Sequence, residues 1–205
     1  KIKKIYYIST RDMRKNRADC VHIMYSCSAF ANNGINVTLL APKVVRKDYH
    51  VSDVFSLYDV PKNFKLHELK TNIVENDNKS SFFQLVSNKL FYHTLFLLKK
   101  TRCLRSKEII IYSKCYTSII PYIIFKKIKL IRCKLVFETP FIKTNMYHKY
   151  IMKSMDAIIT MTSYVKRILI KDLNIDSEKI ILCPIRFQTD YFKKNINRQK
   201  IKESL

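Results

Sequence analysis

The chain has 205 residues, enough for one good-sized domain or two small ones, and its 47% hydrophobic and 12% aromatic content excludes a disordered polymer. Its formal net charge is +23, and it holds a single glycine, Gly34, where about fourteen are expected at the usual ~7%. Lysine, isoleucine, asparagine and tyrosine are abundant while glycine, alanine, proline and arginine are scarce, which reads as an AT-rich codon bias. The excess cation is lysine, spread along the whole chain. That argues against sequence-specific nucleic-acid binding, which favours clustered arginine, and leaves an anionic membrane surface or an acidic glycan as partners.

In chain order, IKKIYYIS (2–9) is a short apolar run rich in Ile and Tyr, the pattern of a buried strand. The polar, basic loop TRDMRKNR follows. ADCVHIMYSCSAFANN then reads as a helix capped by Asn16, with Asp19 at its positive end. Gly34 falls where that helix should stop, at a left-handed turn into the strand INVTLLAP. FKLHELK (64–70) is a weaker strand signal, and SSFFQLVSNKLFYHTLFLLKK (80–100) predicts a long helix, apolar almost all round. EIIIYSK (108–114) predicts a strand, TSIIPYIIFKKIK (117–129) a helix with a proline in its first turns, and CKLVFETP (133–140) a strand. NMYHKYIMKSM (145–155) predicts a helix and DAIITMT (156–162) a strand. SYVKRILIKDLN (163–174) predicts a helix capped by Thr162 or Ser163, with Asn174 in the turn position that Gly34 fills earlier. EKIILCP (178–184) is the last strand. Continuous apolar strands alternating with helices predict an α/β fold: a doubly wound, Rossmann-like parallel sheet with helices on both faces.

In such a sheet, ligands bind at the carboxyl ends of the strands, near the point where strand order reverses. The working loops are therefore 9–17, 42–50, 113–118, 138–145 and 162–164. The first loop contains no glycine, so neither the dinucleotide fingerprint nor a P-loop fits there. What it offers is a helix N-terminus flanked by Arg11, Arg14, Lys15 and Arg17, either an anion site or a solvated basic loop. Glu138 and Thr139 end the fifth strand, where a carboxylate binds sugar hydroxyls, acts as a base or caps the next loop. Ser113 and Lys114 occupy the neighbouring crevice. Of the five histidines, His22 and His93 lie within helices and His67 within a strand, His50 and His148 have no Cys, Asp or Glu partner at ligand spacing, and none is assigned a catalytic role. The six cysteines show no CxxC or CxxH spacing, so no zinc site is expected. Most lie in apolar runs, as thiols of a reducing compartment do. The start KIKKIYYIST is too short in apolar residues for a signal peptide, and no segment offers ~18 uninterrupted apolar residues.

The order of these pieces resembles the N-terminal domain of GT-B glycosyltransferases of the family 4-like, retaining group. AFANNGINVTLLAP is similar to the family's L-x-x-x-G-h-x-V-x-h-h-x-P step, and KLVFETP stands where many members read V-V-F-E-x-H. MDAIITMTSYVKRIL resembles x-D-x-I-I-x-x-S-x-x-x-x-x-x-L, and EKIILCPIRFQTDYF resembles the hinge K-I-x-V-x-P-N-G-V-D-x-x-x-F. Departures are the glycine-free first loop, Pro140 in place of a histidine, and Ile185-Arg186-Phe187 in place of N-G-V. The chain ends at NRQKIKESL, where the family's donor domain with its E-x7-E segment would begin.

The resemblance implies one half of a GT-B architecture: a Rossmann-like domain over 1–184, then 185–205 as hinge and start of an absent second domain. It implies an acceptor-side domain of a retaining glycosyltransferase, incomplete alone, that moves a sugar from a nucleotide sugar to a cell-surface polysaccharide or glycolipid. Acceptor-binding candidates are Arg11, Asp12, Ser113, Lys114, Glu138, Thr139 and Ser163. No metal or cofactor is expected, since the nucleotide sugar is a substrate held mainly by the missing half. Expected partners are a glycan or lipid-linked acceptor, the nucleotide sugar, a separate C-terminal half and an anionic membrane surface, at the cytoplasmic face. The alternative is a non-catalytic polyanion- or glycan-binding module, an inactive remnant.

Overall fold

A computed structural model describes residues 2–15, 17–43, 53–70, 94, 96, 98–139 and 145–184. Seven parallel strands form one sheet, in the order β3-β2-β1-β4-β5-β6-β7. They are β1 (Lys4–Ile8), β2 (Asn36–Lys43), β3 (Lys65–Lys70), β4 (Ile109–Ser113), β5 (Lys134–Thr139), β6 (Ala157–Thr160) and β7 (Ile180–Leu182). The helices are α1 (Ala18–Asn32), the short α2 (Val54–Leu57), α3 (Tyr116–Lys127), α4 (Met146–Lys153) and α5 (Ser163–Lys171).

The sheet is covered on both faces, and β1 shows how. Ile5 and Tyr7 face a core with α1 residues Cys20, Ile23, Met24 and Cys27, while Tyr6 and Ile8 face a second core with Ile119, Tyr122, Ile151 and Leu169 from α3, α4 and α5. Alternate side chains of one strand therefore enter two separate apolar layers, which is why the run has no polar residue between Ile5 and Ile8. β3 lies at the sheet edge, paired only with β2. Its Lys65, His67, Glu68 and Lys70 interrupt the apolar pattern, in keeping with that position, and account for its weak strand signal. Residues 94, 96 and 98–100 are helical, in keeping with the helix expected over 80–100. The rest of that segment lies outside the described residues. Phe96, one of the described helical residues, packs edge-on against Tyr6, ring centroids 5.4 Å apart.

Three details differ from expectation. The cap position of α1 is Arg17, which makes no side-chain cap bond, and Asn16 lies outside the described residues. α2 was not anticipated: four residues leave no periodicity, though Asp53 caps it by accepting from Phe55 N at 3.1 Å. Of the cysteines, Cys103 and Cys183 are exposed rather than buried. The cap of α5 is Thr162, accepting from Val165 N at 3.2 Å.

Gly34 stands in the left-handed region at φ +76°. Gly34 N donates to Ala31 O and Ile35 N donates to Phe30 O, closing the end of α1. A Cβ at Gly34 would meet nothing within 4 Å, so its backbone angle and not crowding selects glycine. The same pair of bonds closes α2 around Asp59 (φ 50°) and α3 around Lys129 (φ 59°), and Asn174 (φ 52°) follows α5. A left-handed lysine costs roughly 1–2 kcal/mol, offset in part by the backbone entropy that glycine loses on folding. Lys129→Gly is therefore expected to raise stability by about 0.5–1 kcal/mol, and Gly34→Ala to lower it by about 1 kcal/mol, both read from urea denaturation midpoints.

Candidate functional site

Strand order reverses between β1 and β4, and the crevice at their carboxyl ends is the point where a parallel sheet presents functional groups. The register sets Ile8 beside Ser113 and Ser113 beside Phe137, so the residues leaving β4 and β5 emerge side by side. Glu138 is the centre of the arrangement, only 3% exposed. Its Oε1 lies 2.7 Å from Lys114 Nζ and 3.6 Å from His22 Nε2, and its Oε2 accepts from the Tyr112 hydroxyl. Lys114 Nζ also lies 2.8 Å from His22 Nδ1, which Ser26 Oγ approaches at 3.1 Å. A buried carboxylate is thus ringed by one ammonium, one imidazole and one phenol.

Burial governs the titration of this group. It pushes His22 below its ordinary value, with the Lys114 ammonium acting in the same direction and Glu138 opposing. Burial likewise lowers Lys114, against the pull of Glu138. Tyr112 is pushed up by burial and by the neighbouring carboxylate. Near neutral pH, His22 is therefore a neutral imidazole that accepts from Lys114 through Nδ1. Because the folded state disfavours the imidazolium, the unfolded chain binds more protons as pH falls below about 6.5, and folding stability drops in that range. The thermal midpoint is expected to fall more between pH 7.5 and 5.5 in the parent than in His22→Gln, as differential scanning fluorimetry at the two pH values would show. Tyr7 lies against the same cluster, its ring 4.8 Å from that of Tyr112, and its buried hydroxyl has no hydrogen-bond partner among the described residues.

The other expected residues divide into two groups. Lys114 and Glu138 come together in the crevice. Thr139 follows Glu138 on β5 but points to the opposite face of the sheet, 1% exposed, with its Oγ1 3.3 Å from the Tyr116 hydroxyl. The Tyr116 ring in turn meets His148 edge-on at 4.1 Å. Ser113 is fully buried, and its hydroxyl donates to Ile8 O and accepts from Cys115 N, stitching β1 to the start of α3. Ser163 is exposed at the first turn of α5, one strand beyond β5.

The first loop is neither an open cradle nor a solvated strand of cations. Met13 and Asp12 are buried in it, and Asp12 Oδ1 accepts from Arg14 N at 3.0 Å. Arg14 pairs with Glu68 of β3, while Arg11 and Arg17 both pair with Asp19, at 2.8 and 3.3 Å. The carboxylate of Asp19 sits in the first turn of α1, so this helix end already carries its own anion.

Sequence reasoning passed over His22 and Tyr112. His22 sits one turn into α1, and Tyr112 is one aromatic residue among many in apolar strands. Only the meeting of α1 with the ends of β4 and β5 marks either one. Among the described residues no three of His, Cys, Asp and Glu converge as a metal-binding set.

Neither a protein-family model nor a curated protein matches the sequence. Solved structures do match the fold. The lipopolysaccharide outer core galactosyltransferase WaaB matches at 15% identity over 91% of this chain and 47% of its own, with a TM-score of 0.57. Sucrose-phosphate synthase from Thermosynechococcus elongatus matches at 10% identity over 99% of this chain and 100% of that chain, with a TM-score of 0.60. A UDP-GlcNAc 2-epimerase from Methanocaldococcus jannaschii matches at 12% identity over 88% of this chain and 45% of its own, with a TM-score of 0.51. The fold is that of a GT-B half-domain. The chain spans about half the length of the galactosyltransferase and of the epimerase. An epimerase and two sugar-transferring enzymes share this sheet, so the fold alone does not choose the reaction.

Proposed function

We propose that the chain supplies the acceptor side of a retaining glycosyltransferase that moves a sugar from a nucleotide sugar to a cell-surface polysaccharide or glycolipid. The observation that carries the reading is the buried Glu138 carboxylate at the strand-order switch point, held by Lys114, His22 and Tyr112. A sugar hydroxyl entering the crevice can donate to the carboxylate and accept from the Lys114 ammonium. This donor–acceptor pairing suits vicinal hydroxyls. The same carboxylate can orient an acceptor hydroxyl for attack. Arg11 and Asp12 on the first loop, Thr139 at the end of β5, and Ser163 on the rim would complete the contacts to the acceptor, with Ser113 holding the crevice in shape.

The glycine-free first loop supports the division of labour: its backbone cannot approach a pyrophosphate as closely as a glycine-rich turn does. The nucleotide sugar would then be held by a second domain or a separate C-terminal chain, and transfer would take place in the cleft between the two. The retaining outcome and the surface-glycan acceptor rest on the family resemblance, and the lysine-rich surface supports work at the cytoplasmic membrane face.

Titration calorimetry tests this reading. The chain should bind an oligosaccharide from the surface glycan saturably, lose that binding in Lys114→Met, and fail to saturate with UDP-glucose. Tight binding of UDP-glucose by this chain alone would contradict the assignment of the donor to another half. Glycan binding without any transfer, once the chain is joined to a donor-binding half, would favour the inactive module.

A further inference from the structure

Away from the crevice, α3 and α4 pack side by side and leave a groove of about 470 Å³ between their C-terminal turns. Ile123, Lys126, Lys127, Leu135, Tyr150 and Lys153 line it. Lysines in the last turn of a helix offset its negative end, which explains part of this composition. It does not explain the rim. Ile124 and Ile128 are 50% and 58% exposed, and with Lys127 they share one helical face at the spacing i, i+3, i+4. Across the groove Tyr150 is 48% exposed, with Lys127 Nζ 4.3 Å above its ring centroid. Further along α4, towards the crevice, Tyr147 and Met146 are exposed as well. Branched apolar side chains, an amphipathic aromatic and lysines are interleaved on one surface.

We propose that this face docks on an anionic phospholipid leaflet. Lipid phosphates sit against Lys127 and Lys153, and Ile124, Ile128 and Tyr150 enter the boundary between headgroups and acyl chains. Charge decides the occupant. Asp156 neutralises Lys126, and among the described residues it is the carboxylate paired to the groove's lysines, so Lys127 and Lys153 leave the groove net positive. A second copy of a chain carrying +23 would set like charge against like. A free polyanion would engage the lysines and leave Ile124 and Ile128 in water, whereas a leaflet offers phosphate and hydrocarbon within one side-chain length. Tyrosine belongs at that boundary because its ring is apolar and its hydroxyl is wet. No helix among the described residues is long and apolar enough to cross a membrane, so the attachment is a surface one. The inference rests on the membrane partner in the function proposed above and not on the sugar-transfer chemistry.

The full chain is floated with phosphatidylcholine vesicles, with and without phosphatidylglycerol. Flotation is expected only where phosphatidylglycerol is present. I124S/I128S/Y150S, which keeps every charge, should partition at least about tenfold less, and K127S/K153S roughly thirtyfold less, with the loss shrinking at high salt. Unchanged thermal midpoints confirm that the exposed substitutions keep the fold. Undiminished flotation of the triple variant would overturn the proposal in favour of diffuse attraction between lysines and any polyanion. Absence of flotation by the parent, or equal flotation on neutral vesicles, would overturn it too. Glycan titration of the same variants reads the crevice separately: unaltered glycan binding beside failed flotation sinks this face alone.

Discussion

Lys114→Met is expected to lower folding stability by about 3 kcal/mol, because it removes the cation from a largely buried carboxylate. Glu138 is 3% exposed and its Oε1 lies 2.7 Å from Lys114 Nζ. Methionine keeps most of the volume of the lysine stem, so the loss reports charge rather than packing. The phenol of Tyr112 still donates to Oε2, which limits the damage but does not neutralise the charge. His22 can respond only by taking a proton at a site where burial opposes it. Pairing the change with Glu138→Gln should restore most of the stability, since the double variant buries no charge at all. Urea denaturation of the parent, both single variants and the double variant measures the coupling. A single Lys114→Met variant as stable as the parent would mean that the ammonium does not stabilise the buried carboxylate.

Glu138→Gln is expected to reduce transfer on the order of 10²-fold or more in an enzyme that joins this chain to a nucleotide-sugar-binding half, if the carboxylate positions the acceptor hydroxyl. Glutamine preserves the shape and can still accept from Tyr112, so the fold should survive. On the proposed division of labour between two halves, the KM for the nucleotide sugar should hardly change. A parallel loss in donor affinity would place Glu138 on the donor side. Full turnover would remove it from the chemistry and leave it as the anchor of Lys114.

The fold was legible because its signals are local. Each central strand is an apolar run bounded by polar residues, and both sides of it are buried. Thr162 declares its helix by hydroxyl chemistry and Gly34 declares its turn by backbone freedom. The candidate site was legible only in part. Glu138, Thr139, Ser113 and Lys114 could be named because they follow strands, and strand ends are where parallel sheets work. Their partners could not. His22 reaches Glu138 across more than a hundred residues of chain, through the packing of α1 on the sheet, and no periodicity encodes that meeting. The first loop makes the same point in reverse. Its arginines looked available for an anion, yet Arg14 is engaged by Glu68 from the edge strand and Arg11 by Asp19.

The left-handed turns after α1, α2, α3 and α5 are filled by glycine, aspartate, lysine and asparagine. One backbone shape thus carries four side chains that differ in charge as well as size. The fold asks these positions for a torsion and accepts whatever residue the coding sequence supplies, at the cost of some strain. The chain therefore holds untapped thermal tolerance in surface corners far from the crevice. Replacing Asp59, Lys129 and Asn174 together by glycine would harden the protein without touching the Glu138 cluster. That makes the corners a practical place to begin when the domain must survive purification, labelling or crystallisation.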